Sequence, residues 1–350
     1  MRSAIAGVAI AFAAATSSAS AGVIFGTDQS LGGGYRWDAA NRSFAGFERS
    51  LQGGLRFSVQ GGSFQAFRDL FTWNALPTVA EFSTAVNQAF SAWTAVDPVS
   101  GLGTTLSFVD DIANTAVFGT NFFGGVDIAG AEIDLFGMDA GDAGQRGVSF
   151  FSSTVNDNVT LTSGVSGYGG AQGGGAIIGA DIKINSNTGA QYTLDSFRRL
   201  LTHEIGHALG LGDAEDFFGN GFIDDNYNGS SDTTAVATLN NSWALLVNPL
   251  NPKNSVGLTQ FAPGTIANGV PGLDTVGVNI LMESEGLGIG ASNPQSSLVP
   301  LTNDDFGTRQ FLYPVFASEA VPEPSSLAFA AVAAAGALGW RKRRGRSADR

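Results

Sequence analysis

The sequence predicts an α+β domain, and three observations carry that expectation. In a few stretches with clear caps, apolar residues recur at spacings of three and four, the mark of helices with one buried face. Elsewhere polar and apolar residues alternate over short runs, as strands with one covered face require. The composition agrees: 26 Phe supply bulk for a core, while 48 Gly against 14% charged residues implies long loops between few helices.

Residues 22–60 read as early strand material, with Leu55-Arg56-Phe57-Ser58-Val59 alternating in polarity. The first helix follows Pro77. Thr78 is its N-cap and Glu81 completes a capping box, while Val79, Phe82, Val86, Phe90 and Trp93 form a stripe reaching about Ala95. Thr104 to Val109 and Ala131 to Phe136 read as strands. Residues 139–175 read as a Gly/Ser-rich insertion, nearly pure linker chemistry from Gly169 to Gly175. Ala176 to Ile184 is a further strand. Thr193 or Asp195 then caps a second helix, whose stripe is Leu194, Phe197, Leu201, Ile205 and Leu209. Gly210 is placed to end it in a left-handed conformation. Pro249, Pro252, Pro263 and Pro271 break residues 235–281 into short pieces. A last helix spans Asp304 to Leu312, entered through Thr302 and Asn303.

Both ends carry addresses. Arg2, an apolar run from Ala4 to Ala15, and Ala19-Ser20-Ala21 make residues 1–21 a secretory signal peptide. At the other end, Val321-Pro322-Glu323-Pro324 precedes an apolar run from Leu327 to Trp340, then Arg341, Lys342, Arg343, Arg344 and Arg346. That run of 14 residues is short for a permanent span, and the basic cluster would stay cytoplasmic. A plain C-terminal anchor is the alternative.

Between residues 22 and 321 the chain holds 11 basic and 29 acidic residues, a net charge of −18. So acidic a surface argues against nucleic acid or an anionic membrane as partner. Cysteine is absent, which excludes disulfides and any latency in which a propeptide thiol caps a metal. The sequence leaves open whether residues 22–76 are a propeptide.

The chemistry gathers at His203-Glu204-Ile205-Gly206-His207, which contains the only two histidines of the 350 residues. Four residues make about one helical turn, so both imidazoles project from one face and can hold one ion. Glu204 reaches a metal-activated water without taking a coordination position. Catalytic zinc needs a third protein ligand. If Gly210 turns the chain back, Asp213 can approach as that ligand; Glu215 and Asp216, or a distant Glu283 or Glu285, are the alternatives. In that reading Glu204 is the general base and the cofactor is Zn2+. The acidic stretch 213–232 is a candidate Ca2+ loop through Asn220-Gly221-x-Ile223-Asp224, although Phe218 and Tyr227 stand where an EF-hand needs ligands.

His203-Glu204-x-x-His207-x-x-Gly210-x-x-Asp213 resembles the metzincin metalloprotease motif, with Asp in place of the usual third His. Val86 to Trp93 is similar to the first matrixin helix, and Asn279-Ile280-Leu281-Met282 to the turn whose methionine lies beneath the zinc. Asp304 to Tyr313 is similar to the closing matrixin helix. Met282 is followed by Glu283 and Ser284, so the tyrosine that some metzincins place two positions on is absent. The resemblance implies a twisted mixed β-sheet with an active-site helix and a smaller irregular C-terminal subdomain ending in a helix. It implies a zinc endopeptidase over residues 22–318, acting on a protein or peptide substrate, with Met282 in the Met-turn. The C-terminal order of Pro-Glu-Pro, apolar run and basic cluster resembles the PEP-CTERM sorting tail, here residues 319–350. That implies export, processing by an exosortase-type enzyme, a transient membrane contact through the tail, and a place at the envelope, surface or matrix of a Gram-negative bacterium. The rival reading is a non-catalytic envelope protein that keeps the fold.

Overall fold

The structure is a computed structural model that describes residues 23–25, 34–98, 100–116, 126–155, 157–167, 174–212, 221–224, 243–254, 259–261, 281–282 and 301–317. The first described elements are β1 (Val23–Ile24), β2 (Tyr35–Arg36), β3 (Ser43–Phe44), β4 (Phe47–Glu48) and β5 (Leu55–Val59). Next come α1 (Phe64–Arg68), β6 (Thr72–Trp73), α2 (Val79–Ala92), β7 (Phe108–Thr115), β8 (Ile133–Met138) and β9 (Gly147–Ser153). The remainder is β10 (Gly175–Asn185), β11 (Gln191–Tyr192), α3 (Leu194–Ala208), β12 (Leu211–Gly212), β13 (Gly221–Asp224), β14 (Thr259–Phe261) and α4 (Asn303–Leu312).

The main sheet has the order β2-β10-β8-β5-β7, and β9 pairs with β10 as well. All its neighbours run parallel except β9, which is antiparallel to β10. The mixed sheet and few helices are compatible with a metzincin-like fold. Alternation sorts the side chains. Phe57, Val59, Ile133, Leu135, Ile182 and Ile184 join the core with α2 and α3, and the Phe57 and Phe90 rings stack 4.0 Å apart. Arg56, Ser58, Asp134, Asp181 and Lys183 alternate with them, and all eleven residues of β10 are buried. That burial is what a parallel strand covered on both faces must show. The Lys183 ammonium lies 5.1 Å from the Phe150 ring centroid, and burial pushes its pKa down against the opposing pull of Asp181.

Helix α2 starts with the expected capping box of Thr78 and Glu81. Its C-terminal end is closed by α4, where buried Arg309 donates to the carbonyls of Trp93 (3.2 Å) and Ala95 (2.6 Å). Burial pushes that guanidinium down to about 10, against the pull of Asp97. Arg36 in turn donates to the carbonyls of Phe311 (3.1 Å) and Leu312 (2.9 Å), the last turn of α4.

Several boundaries differ from the sequence reading. The strand expected at 104–109 begins at Phe108 and continues to Thr115. Leu106, apolar within the expected span, is a buried loop residue, and β7 is a sheet edge whose exposed positions mix Asp110, Asn114 and Thr115 with Val109 and Ala113. The strand expected at 131–136 runs from 133 to 138. Within the stretch read as an insertion, 139–175, lies all of β9, and Val159 and Leu161 pack against Ala176. Residues 34–76 supply β2 and β5 of the main sheet and so belong to the folded body.

A second sheet has the order β12-β1-β13-β14, with β1 antiparallel to both of its neighbours. The chain divides into two compact units, Met1–Val315 and Phe316–Arg350. Residues 1–21 and 319–350, read as signal peptide and sorting tail, lie outside the described residues. Among the described residues no helix is long and apolar enough to cross a membrane.

Candidate metal centre

Of the two expected caps for α3, Thr193 makes the contact: its hydroxyl accepts from the Ser196 amide at 3.0 Å, while Asp195 sits in the first turn. Phe197, Leu201 and Ile205 bury one side of the helix in the core. His203 and His207 then stand one turn apart, both almost fully buried. Gly210 follows with φ +101°, and a methyl there would meet the Tyr35 carbonyl oxygen at 2.2 Å, so only glycine fits.

The exit of α3 is closed by distant parts of the chain. The Trp37 indole donates to the Ala208 carbonyl (2.9 Å), the Tyr313 hydroxyl to that of Leu209 (2.7 Å), and the Phe25 amide to that of Gly210 (3.0 Å). These donors satisfy carbonyls that a helix end otherwise leaves to water. Burial pushes the Tyr313 hydroxyl pKa up, which keeps it protonated and donating.

Each imidazole is aimed by a leucine carbonyl. Nδ1 of His203 donates to Leu281 O at 2.7 Å, and Nδ1 of His207 to Leu211 O at 2.9 Å. A carbonyl only accepts, so each Nδ1 carries the ring proton and each neutral Nε2 presents a lone pair. The two Nε2 atoms face one another 3.0 Å apart. Two lone pairs so placed repel unless a cation lies near both, and paired imidazoles suit zinc. The donor set therefore fits a divalent metal.

Glu204 lies against β9. The Ser149 hydroxyl is 2.8 Å from its Oε2 and 2.9 Å from its carbonyl oxygen. A methyl at Gly147 would come within 2.5 Å of Oε1, so this glycine makes room for the carboxylate. Met282 is buried against α3, where a methyl at Gly206 would meet its sulfur at 2.4 Å and Trp93 at 2.7 Å. Asp213 lies outside the described residues, as do Glu215, Asp216, Glu283 and Glu285. So does the candidate calcium stretch, apart from β13. Among the described residues no group of three His, Cys, Asp or Glu is placed to hold an ion.

The chain's own pentapeptide, His-Glu-Ile-Gly-His, now has a counterpart. Residues 130–239, from the approach to β8 through α3 and beyond, match a family described as dual-action HEIGH metallo-peptidase. The segment that holds the site is similar to a metallo-peptidase family. Residues 320–344 match the PEP-CTERM protein-sorting motif, in line with the resemblance drawn from the tail. No curated protein matches the chain. Among solved structures, the GM1 bound form of the ECX AB5 holotoxin is 11% identical over 84% of this chain and 88% of that one, with a TM-score of 0.30. So weak a likeness carries no argument.

Sequence reasoning missed Ser149, Gly147, Phe25 and Trp37. Each meets the site across a long sequence separation, and none forms a pattern with its neighbours. The glycine within the pentapeptide, Gly206, was the one legible hint that something large packs against the helix.

Proposed function

We propose that the chain is an exported zinc-dependent endopeptidase, with His203, His207 and Asp213 as metal ligands and Glu204 as general base. The observation that carries this reading is the pair of convergent Nε2 atoms, each fixed in tautomer by a backbone carbonyl, beside a buried glutamate. A bound zinc ion supplies Lewis-acid polarisation of the scissile carbonyl and of the attacking water. The chain's residues do the rest. Glu204 takes the proton from water and passes it to the leaving amine. The one Ser149 proton can serve only one acceptor at a time. When Glu204 is ionised, Ser149 donates to Oε2; when it is protonated, Oε2 donates to Ser149, whose proton turns to the Glu204 carbonyl. Both states of the base are thus supported. Among the described strands β9 pairs only with β10, so its outer edge suits an extended peptide laid along it. The sorting motif supports export and release by an exosortase-type enzyme.

The test is zinc content and casein hydrolysis of the purified chain beside Glu204→Ala and Asp213→Ala. Glu204→Ala is expected to keep zinc and lose hydrolysis, and Asp213→Ala to lose both. Stoichiometric zinc without cleavage in a broad protein panel would instead favour the non-catalytic envelope protein.

A further inference from the structure

The two histidines are held by different parts of the molecule, and the support of His207 comes from the first strand of the folded body. His207 Nδ1 donates to the carbonyl of Leu211, and Leu211 pairs with Ile24 in β1. The next residue, Phe25, donates its amide to Gly210 and accepts at its carbonyl from the Tyr35 amide, both at 3.0 Å. Its ring lies 5.6 Å from the His207 ring and 5.7 Å from that of Phe151 on β9, and the residue is 8% exposed. The opposite edge of β1 pairs with β13, Val23 with Phe222 and Ile24 with Gly221. Gly212 and Gly221 therefore both pair with this one strand.

We propose that β1 with Phe25 is a positioning element of the metal centre, acting on His207 through the Leu211 carbonyl and the Phe25 ring. The physical argument is one of freedom. An imidazole that lacks either its carbonyl acceptor or the ring that blocks its rotation samples other rotamers and the other tautomer. Outer contacts of this kind are worth about 10- to 100-fold in metal affinity. His203 is aimed by the Leu281 carbonyl instead, so its own acceptor does not hang on β1. This inference rests on the metal-centre reading, but half of its test does not.

The chain has only two histidines, so the 15N spectrum of its imidazoles contains two rings and no others. In the metal-free full chain both rings are expected as the Nδ1–H tautomer. Phe25→Ala is expected to leave His203 in that form, to give His207 a mixture, and to weaken zinc binding by about tenfold or more. Phe25→Leu, which keeps the apolar bulk, is expected to restore zinc affinity to within about threefold of the wild type. If Phe25→Ala does not yield folded protein, Phe25→Val takes its place with the same two readouts. An unchanged His207 tautomer, or equal loss of tautomer preference at both rings, overturns the proposal. Wild-type protein that binds no zinc overturns the metal-centre reading instead, and the tautomer pattern still decides the role of β1.

Discussion

Glu204 shows how much one carboxylate takes from residues far from it in sequence. Ser149, 55 positions away, meets both its side chain and its carbonyl, and Gly147 leaves the space that Oε1 fills. With Glu204 as the proposed general base, Ser149→Ala is expected to lower kcat about tenfold with little change in KM or zinc content. A raised KM at constant kcat would assign Ser149 to substrate binding instead. Gly206→Ala pits two effects against each other. Alanine favours the helix by about 1 kcal/mol, but its methyl would lie 2.4 Å from the Met282 sulfur and 2.7 Å from Trp93. Overpacking of this kind costs about 1–3 kcal/mol. A net loss of stability is expected in urea unfolding, and a gain would mean that Met282 does not press on α3. At this scale the sequence was legible where spacing is local: two histidines and a glutamate within one turn announce a shared face. The aiming carbonyls of Leu211 and Leu281 were not legible, because backbone acceptors carry no residue signature.

Elements with a period of their own were readable, and those defined by their neighbours were not. Helices α2, α3 and α4 fall close to where capping residues and apolar stripes put them. Strand β9 was lost inside a Gly/Ser-rich stretch, since the half-covered Val148-Ser149-Phe150-Phe151 shows no clean alternation. Long-range caps are equally hidden. Arg309 reads as a surface charge on a short helix, yet it is buried and holds the Trp93 and Ala95 carbonyls. Arg309→Met keeps the length of the side chain and removes its donors. Leaving buried carbonyls unmatched costs about 1–3 kcal/mol each, so a clear fall in the thermal midpoint is expected. A midpoint unchanged from the wild type would show that water replaces the guanidinium without loss.

Among the described elements, β1 and α4 both converge on α3, and α4 carries a group that makes stability answer to pH. Asp305, in the first turn of α4, is fully buried, and its carboxylate accepts from the Thr302 amide (2.7 Å) and hydroxyl (2.9 Å). Burial pushes it up to about 6, although Thr302 and the backbone amides of Leu281 and Met282 favour its charged form. The native state therefore holds this proton up to about pH 6, whereas the unfolded chain releases it near the ordinary value of 3.8. Between those limits the native state binds more protons, so stability falls as pH rises. Two pH units at about 1.4 kcal/mol each give a loss of about 3 kcal/mol. Asp305→Asn removes that slope and keeps an oxygen for Thr302. Unfolding free energies measured from pH 4 to pH 7 are expected to favour the variant increasingly, by about 3 kcal/mol across the range. A constant difference between the two proteins would mean that Asp305 is ionised throughout, with the amides of residues 281–282 outweighing its burial.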